Sequence, residues 1–377
     1  MKRLFKWLSV FVGLVILTLV AAIVTVTSII DPNQFKPVII SQFKQLTGFE
    51  MQIPGNLTWS FYPHFGMAAD EVIINKPSVI TSHLKNLVLR AKLGPLFHKQ
   101  LYVSKASVEN LQVNHFEASQ VQAKISLKNQ ILEIHQLRAK VYQGALNADA
   151  TVFLNTADPN WHVIGKLDKV DIAALLKGFS GKSAKLQVNG SGDFSWDVTT
   201  QGKNTDDLLS HLNGSGRVQI DKGSLKGIDI DYFVNTAVAL INNQPLPTRT
   251  AEGETTFGQL RGSAIIREGV ITTNNLVLDS SFYMVEAVGS IDLVNKTLDY
   301  YLNVSSKLEE KTNKAALALY GKKVPIRVSG DLSNPAVSLD TLALMKEVGK
   351  EQLQRVGQEI QKRLPDKANA FIKSLFQ

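Results

Sequence analysis

From Glu50 onward, apolar and polar residues exchange places every second position along much of the chain. Leu298, Tyr300, Leu302 and Val304 alternate with Asp299, Tyr301, Asn303 and Ser305. Val324, Ile326 and Val328 alternate with Pro325, Arg327 and Ser329, and Phe194, Trp196 and Val198 with Asp193, Ser195 and Asp197. Val218 and Ile220 sit between Arg217, Gln219 and Asp221. A period of two predicts strands with one apolar and one wetted face, the pattern of antiparallel meanders. Turn-forming pairs punctuate these runs at Lys222-Gly223, Asn274-Asn275, Asn295-Lys296 and Asn334-Pro335. Nowhere do strands alternate with long helical patterns, which argues against a parallel, doubly wound sheet. Strands of similar length recur without a strict repeat period.

The helical signals lie at the ends and in short interruptions. Lys2, Arg3 and Lys6 precede an uncharged run of 24 residues from Trp7 to Ile30. At about 1.5 Å per residue such a helix spans a hydrocarbon core of roughly 30 Å. The run is longer than the apolar stretch of a cleavable signal and lacks an A-x-A site, so a retained single-pass anchor is expected. The early positive charges place the N-terminus in the cytoplasm and the body across the membrane. Asp31-Pro32 then starts a short amphipathic helix carrying Phe35, Val38, Ile39, Phe43 and Leu46, with Gly48 as its stop. Its apolar side has two possible covers, the bilayer surface and the β body. Further short helices are expected over 205–212, 228–241 and 311–320. After Asp340 a stripe of Leu342, Met345, Leu353, Val356, Ile360 and Leu364 predicts an amphipathic helical tail, broken at Pro365.

Composition narrows the chemistry. Of 377 residues, 44% are apolar and 20% charged, as in folded proteins. The net charge of +8 is spread along the chain, with no basic patch interleaved with aromatics, so nucleic acid is not an expected partner. There is no cysteine, which removes disulfides, thiolate catalysis and cysteine-ligated metals. Histidines at 64, 83, 98, 115, 135, 162 and 211 include no pair at helical ligand spacing. Gly178 to Ser183 reads GFSGKS, yet Leu176 stands where a phosphate-binding loop needs its first glycine, so no nucleotide is expected. Gly190/Gly192 and Gly214/Gly216 lack the third glycine and the βαβ setting of a dinucleotide site. Asp229 and Asp231 form the one candidate carboxylate pair, with nothing else converging on it. No catalytic residue, cofactor or metal is expected, and the chain does not read as an enzyme.

Asp31-Pro32-Asn33-Gln34-Phe35 behind the uncharged run, and Leu212-Asn213-Gly214-Ser215-Gly216 farther on, head two motif-rich regions that resemble the AsmA family of envelope proteins. The first joins the anchor to Asp31-Pro32-Asn33-Gln34-Phe35, Leu46-Thr47-Gly48 and the run from Leu57 through Trp59 to Pro63. The second, over about 206–340, holds Leu212-Asn213-Gly214-Ser215-Gly216, Gly223-Ser224-Leu225-Lys226-Gly227, Leu260-Arg261-Gly262, Gly289-Ser290-Ile291-Asp292-Leu293 and Val324 to Gly330. The resemblance implies a bacterial inner-membrane protein with a periplasmic body, concerned with outer-membrane assembly. It also implies kinship with bridge-like lipid-transfer proteins, in which a curved sheet forms an apolar groove, and its Gly and Asn motifs then read as turns and bulges. The fold expected is mainly β: an elongated, curved antiparallel sheet or trough with short helices, one transmembrane helix and a helical tail. Its parts are the anchor (1–30), an N-terminal β region (31–155), a diverged middle (156–204), a C-terminal β region (205–340) and the tail (341–377). The alternation leaves a trough and a packed sandwich both open. The function implied is non-enzymatic carriage of phospholipid between inner and outer membrane. The alternative is a periplasmic scaffold for outer-membrane protein or lipopolysaccharide assembly. Membrane, phospholipid and other envelope proteins are the implied partners. In a trough, the lining candidates are Val218, Ile220, Leu298, Leu302, Val324, Ile326 and Val328.

The anchor is testable directly. Mass spectrometry of purified membranes should recover peptides from 1–30 on the mature protein, whereas a soluble main species starting between residues 20 and 31 contradicts retention.

Overall fold

The computed structural model describes residues 31–47, 49–60, 65–76, 80–91, 101–156, 158–180, 186–248, 253–307 and 321–349. The expected anchor, the helix over 311–320 and the tail beyond 349 lie outside these residues. Among the described residues no helix is long and apolar enough to cross a membrane. The chain divides into two compact units at Trp161/His162.

The first unit opens with a 3-10 turn (Pro32–Phe35) leading into α1 (Lys36–Thr47). Its strands are β1 (Glu50–Gln52), β2 (Leu57–Ser60), β3 (Gly66–Lys76), β4 (Ile80–Ala91), β5 (Leu101–Val113), β6 (Phe116–Lys128), β7 (Ile131–Val141) and β8 (Gly144–Phe153). β1 and β2 both pair with β3, and from there each strand pairs antiparallel with the next. Leu57, Ala69 and Val72 form a core against which Ile39 of α1, Met51 and Leu84 pack. The helix after Asp31 therefore sets Ile39 on the β body, while Val38 remains 57% exposed.

The second unit contains β9 (Asn160–Asp171), α2 (Ile172–Ser180), β10 (Gln187–Gln201), α3 (Thr205–Ser210), β11 (Asn213–Lys226) and α4 (Ile230–Ile241). β12 (Glu254–Arg267), β13 (Val270–Asp279), β14 (Tyr283–Asp292), β15 (Thr297–Ser306), β16 (Lys323–Asp331) and β17 (Ala336–Leu339) complete the ladder, followed by α5 over 341–349. Here too each strand from β9 to β17 pairs with its successor in sequence, and the pairs from β10 onward are antiparallel.

Helix starts share one device. Asp31 accepts from Asn33 N–H, Asp171 from Ala174 N–H, Asn204 from Asp207 N–H, Asp229 from Tyr232 N–H and Asp340 from Ala343 N–H. Each side chain satisfies a first-turn amide that the helix leaves without a partner. Asp31 is held below the usual carboxylate range by its bonds from the Asn33 backbone and side chain. None of the expected short helices covers residues 172–180, where α2 forms. Asp171 caps it, and Ile172 and Leu175 are buried.

Two expected turns are bulges inside strands. Lys222 has φ 49° within β11, where the register against β10 shifts. Asn274-Asn275 lies within β13, opposite a register shift in β12. An extra residue leaves ladder amides unmatched, and an Asx side chain from the neighbouring strand takes up several of them. Ser263 N–H donates to Asn275 Oδ1 at 2.9 Å, Lys169 N–H to Asp193 Oδ1 at 2.7 Å and Gln136 N–H to Asp149 Oδ1 at 2.9 Å. Asn295-Lys296 and Asn334-Pro335 do form the turns between β14 and β15 and between β16 and β17.

Ile326 on β16 is 1% exposed and Ile265 on β12 is 56% exposed. Ile326→Ala should lower stability by about 2–5 kcal/mol through lost burial and a cavity. Ile265→Ala should stay within about 0.5 kcal/mol. Urea midpoints of the two variants check the contrast.

Candidate functional site

Partners across an antiparallel ladder share a face, so the register of the second unit lays out its apolar side in rows. One row runs Ile220–Leu260–Leu278–Val285–Val304–Val324 across six strands. Two residues along the strands, Ala287, Leu302, Ile326 and Leu339 continue the same face. Most of these side chains are dry, Val304, Val324 and Ile326 at 1% exposure each, while Leu260 and Leu339 at the margins are partly buried.

The helices make them so. α4 packs against β12, β16 and β17 and therefore lies across the strands between them. Ile230, Phe233, Val234, Thr236, Ala237 and Ala239 are its buried residues. It is pinned at its start, where Ile230 N–H donates to Thr255 Oγ1 at 3.0 Å and that hydroxyl donates to Ile228 O at 2.8 Å. Tyr283 Oη donates to Asp231 at 2.7 Å from β14. At the other side α2 packs on β10, where Ile172 approaches so closely that Gly192 has no room for a Cβ. Gly192 pairs with Ile220, so Ile172 extends the cover over the same row.

Farther along the strands the face changes character. Trp196–Gly216–Ala264–Thr273–Gly289–Tyr300–Val328 forms a mixed row. The Tyr300 ring lies against Gly289, where a Cβ would come within 2.7 Å of its Cγ, and its hydroxyl meets Thr273 Oγ1 at 2.8 Å. Burial pushes the Tyr300 phenol above its ordinary pKa. Beyond it, Val198–Gly214–Ile266–Ile271–Ile291–Leu298–Gly330 forms a row whose large apolar members are all only partly buried. Gly330 has no side chain within 4 Å of where its Cβ would stand, and Gly216 likewise. The floor is thus hollow by one side chain at those positions.

All seven candidates from the sequence lie on this face. Ile220, Leu302, Val324, Ile326 and Val328 are buried, while Val218 and Leu298 are half-buried. Leu302 faces Ile326 directly, and Val218 and Ile220 lie on β11, four strands from β15. The carboxylate pair dissolves: Asp229 caps α4 and Asp231 receives Tyr283. Of the GFSGKS run, residues 178–180 end α2 and the remainder lies outside the described residues. His83, His135 and His162 lie beside Glu71, Glu133 and Asp197, and among the described residues no group of side chains suits a metal. The opposite face is polar, with a concavity of about 540 Å³ lined by Arg217, Gln219, Arg261 and Asp193 among others.

The chain belongs to the AsmA family, whose family model matches residues 1–117 and 105–276. It is similar to Protein AsmA of Escherichia coli (strain K12), with 19% identity over 254 residues, covering 65% of this chain and 40% of that protein. The match therefore spans less than half of that relative's length. No solved structure matches the chain.

On the polar face Arg327 grips Asp299 with two bonds of 3.0 Å and lies over the Tyr301 ring at 5.1 Å. The guanidinium hydrogen bonds hold the Asp299 carboxyl below its usual range. A lowered folded-state pKa adds stability above the unfolded carboxylate value, about 3.9, and that stability is lost as pH falls through the folded value. Arg327→Gln should bring the Asp299 titration, followed by NMR, back toward the ordinary carboxylate range and remove its share of acid resistance.

Proposed function

We propose that this protein is a non-enzymatic carrier of phospholipid in the bacterial envelope, working from the inner membrane toward outer-membrane assembly. The observation that carries the reading is the contrast along one apolar face. Under α4 its Val304, Val324 and Ile326 are dry, while the row from Val198 to Leu298 stays partly exposed and ends at Gly330, which has open space above it. An acyl chain needs an apolar surface with room above it. Gly330, directly opposite Leu298, leaves that room. Keeping an acyl methylene out of water is worth about 0.8 kcal/mol whether a bilayer or an apolar protein face covers it, so exchange between the two needs no covalent step. The acyl chain first touches Leu298, Ile291 and Ile271, with Val218 also partly exposed, and the covered residues Leu302, Val324, Ile326, Val328 and Ile220 follow only where the roof is displaced. Family membership supports an envelope role, and the uncharged run from Trp7 to Ile30 supports attachment to the inner membrane with the body in the periplasm.

A second reading draws on the dryness of Val304, Val324 and Ile326. A face so fully roofed is what a scaffold with a conventional core requires, and such a scaffold would assist assembly of outer-membrane protein or lipopolysaccharide. The two separate at one position. A photo-crosslinker at Leu298 in the full chain should capture phospholipid in membranes, and Leu298→Asp should leave a folded, inserted protein that copurifies without lipid. Capture of protein alone at 298, with lipid content unchanged by the Asp substitution, favours the scaffold.

A further inference from the structure

In the first unit an apolar row opens where the chain leaves its long uncharged run. α1 covers the row Leu57–Ala69–Leu87 through Ile39. Two residues along, Trp59, Met67 and Leu89 pair in register and so share that face. Phe35 meets the Trp59 ring edge-on with centroids 6.2 Å apart, and Phe65 tilts against it at 5.1 Å. Phe35, Val38, Phe65 and Leu89 are 41, 57, 36 and 39% exposed, a contiguous aromatic and aliphatic surface left in solvent.

The place of this surface in the chain says what meets it. Asp31, Pro32, Asn33 and Gln34 alone separate Phe35 from Ile30, the last of 24 uncharged residues. Fully extended, that connection reaches at most about 18 Å, and the 3-10 turn at Pro32–Phe35 shortens it. The headgroup layer on each side of a bilayer is roughly 5–8 Å deep. Aromatic side chains with an apolar body settle in that layer.

We propose that Phe35, Val38, Trp59, Phe65 and Leu89 form a membrane-docking surface that rests in the interfacial layer of the bilayer holding residues 7–30. Docking adds a second, folded contact to the single helix and fixes how the first unit stands on the membrane. The proposal rests on that anchor and is independent of lipid carriage.

The chain has no cysteine, so one introduced thiol takes a single nitroxide label. Full-length protein with Val38→Cys or Leu89→Cys is reconstituted into vesicles of phosphatidylethanolamine and phosphatidylglycerol, with Lys124→Cys, exposed on β6, as the aqueous reference. Only protein that resists carbonate extraction is measured. At 38 and at 89 oxygen should relax the label more than a water-soluble nickel complex does, the reverse of the order at 124. Inserted protein whose labels at 38 or 89 behave like that at 124 overturns the docking surface. Spin–spin broadening at 38 without oxygen preference overturns it in favour of a second copy of the chain. Failure to resist carbonate overturns the anchor, and the docking proposal with it.

Discussion

α4 lies across the apolar side of β12 to β17 with Ile230, Phe233, Val234 and Ala237 turned inward, and the second unit is organised around that contact. Strands of alternating pattern present a whole face of apolar side chains, far more than one short helix can cover. Removing that face from water is the main favourable term available to such a unit, at about 25 cal/mol per Å². Where the helix lies, Val304, Val324 and Ile326 become core. Where it does not, Val198, Ile266, Ile271, Ile291 and Leu298 stay half wet. One helix thus divides a single face of the sheet into a structural part and an available part. Its position is secured by Thr255, which both accepts from the helix start and donates to Ile228, and by the Tyr283–Asp231 bond. Gly253 lies so close to the cap that a Cβ there would come within 2.4 Å of the Asp229 Cβ.

The strands themselves keep regular pairing only by local repair. Lys169, Gln136 and Lys222 take positive φ inside strands, a conformation unfavourable to residues with a Cβ. At Lys169 and Gln136 an aspartate on the next strand receives the freed amide, and Asn275 does the same for Ser263. Bulges bend a strand and increase its twist, so these carboxylates and amides are part of the shape of the sheet. Asp193, which lines the polar concavity, is committed to Lys169 in this way.

Much of this was legible in the residues. The alternation of Leu298 to Ser305 and of Val324 to Ser329 foretold β15, β16 and the shared face of the candidates, because a period of two leaves no choice of side. The helices after Asp31, Asn204 and Asp229 were legible because a capping residue precedes an apolar run. The same signal stands at Asp171 before Ile172-Ala173-Ala174-Leu175-Leu176, where the strand alternation of the flanking residues masks it. Asn274-Asn275 and Lys222-Gly223 were misplaced as turns because bulges and turns draw on the same residues, which tolerate positive φ; only pairing with both neighbours tells them apart. Burial of Ile326 against half-burial of Leu298 was not legible at all. Both are aliphatic on adjacent strands, and the difference comes from where α4 falls, a long-range contact that no local pattern records.

The order of the strands has a further consequence. From β3 to β8 and again from β9 to β17, each strand pairs with its sequence neighbour, so a strand's main contacts are made with the residues synthesised just before it. Contacts of short sequence separation form quickly, because little loop entropy stands in their way. A body whose residues emerge in sequence order can then add strand to strand as each appears, without waiting for its end. The edge exposed at every stage is also the edge that the next strand will cover, which limits the time available for pairing with another chain.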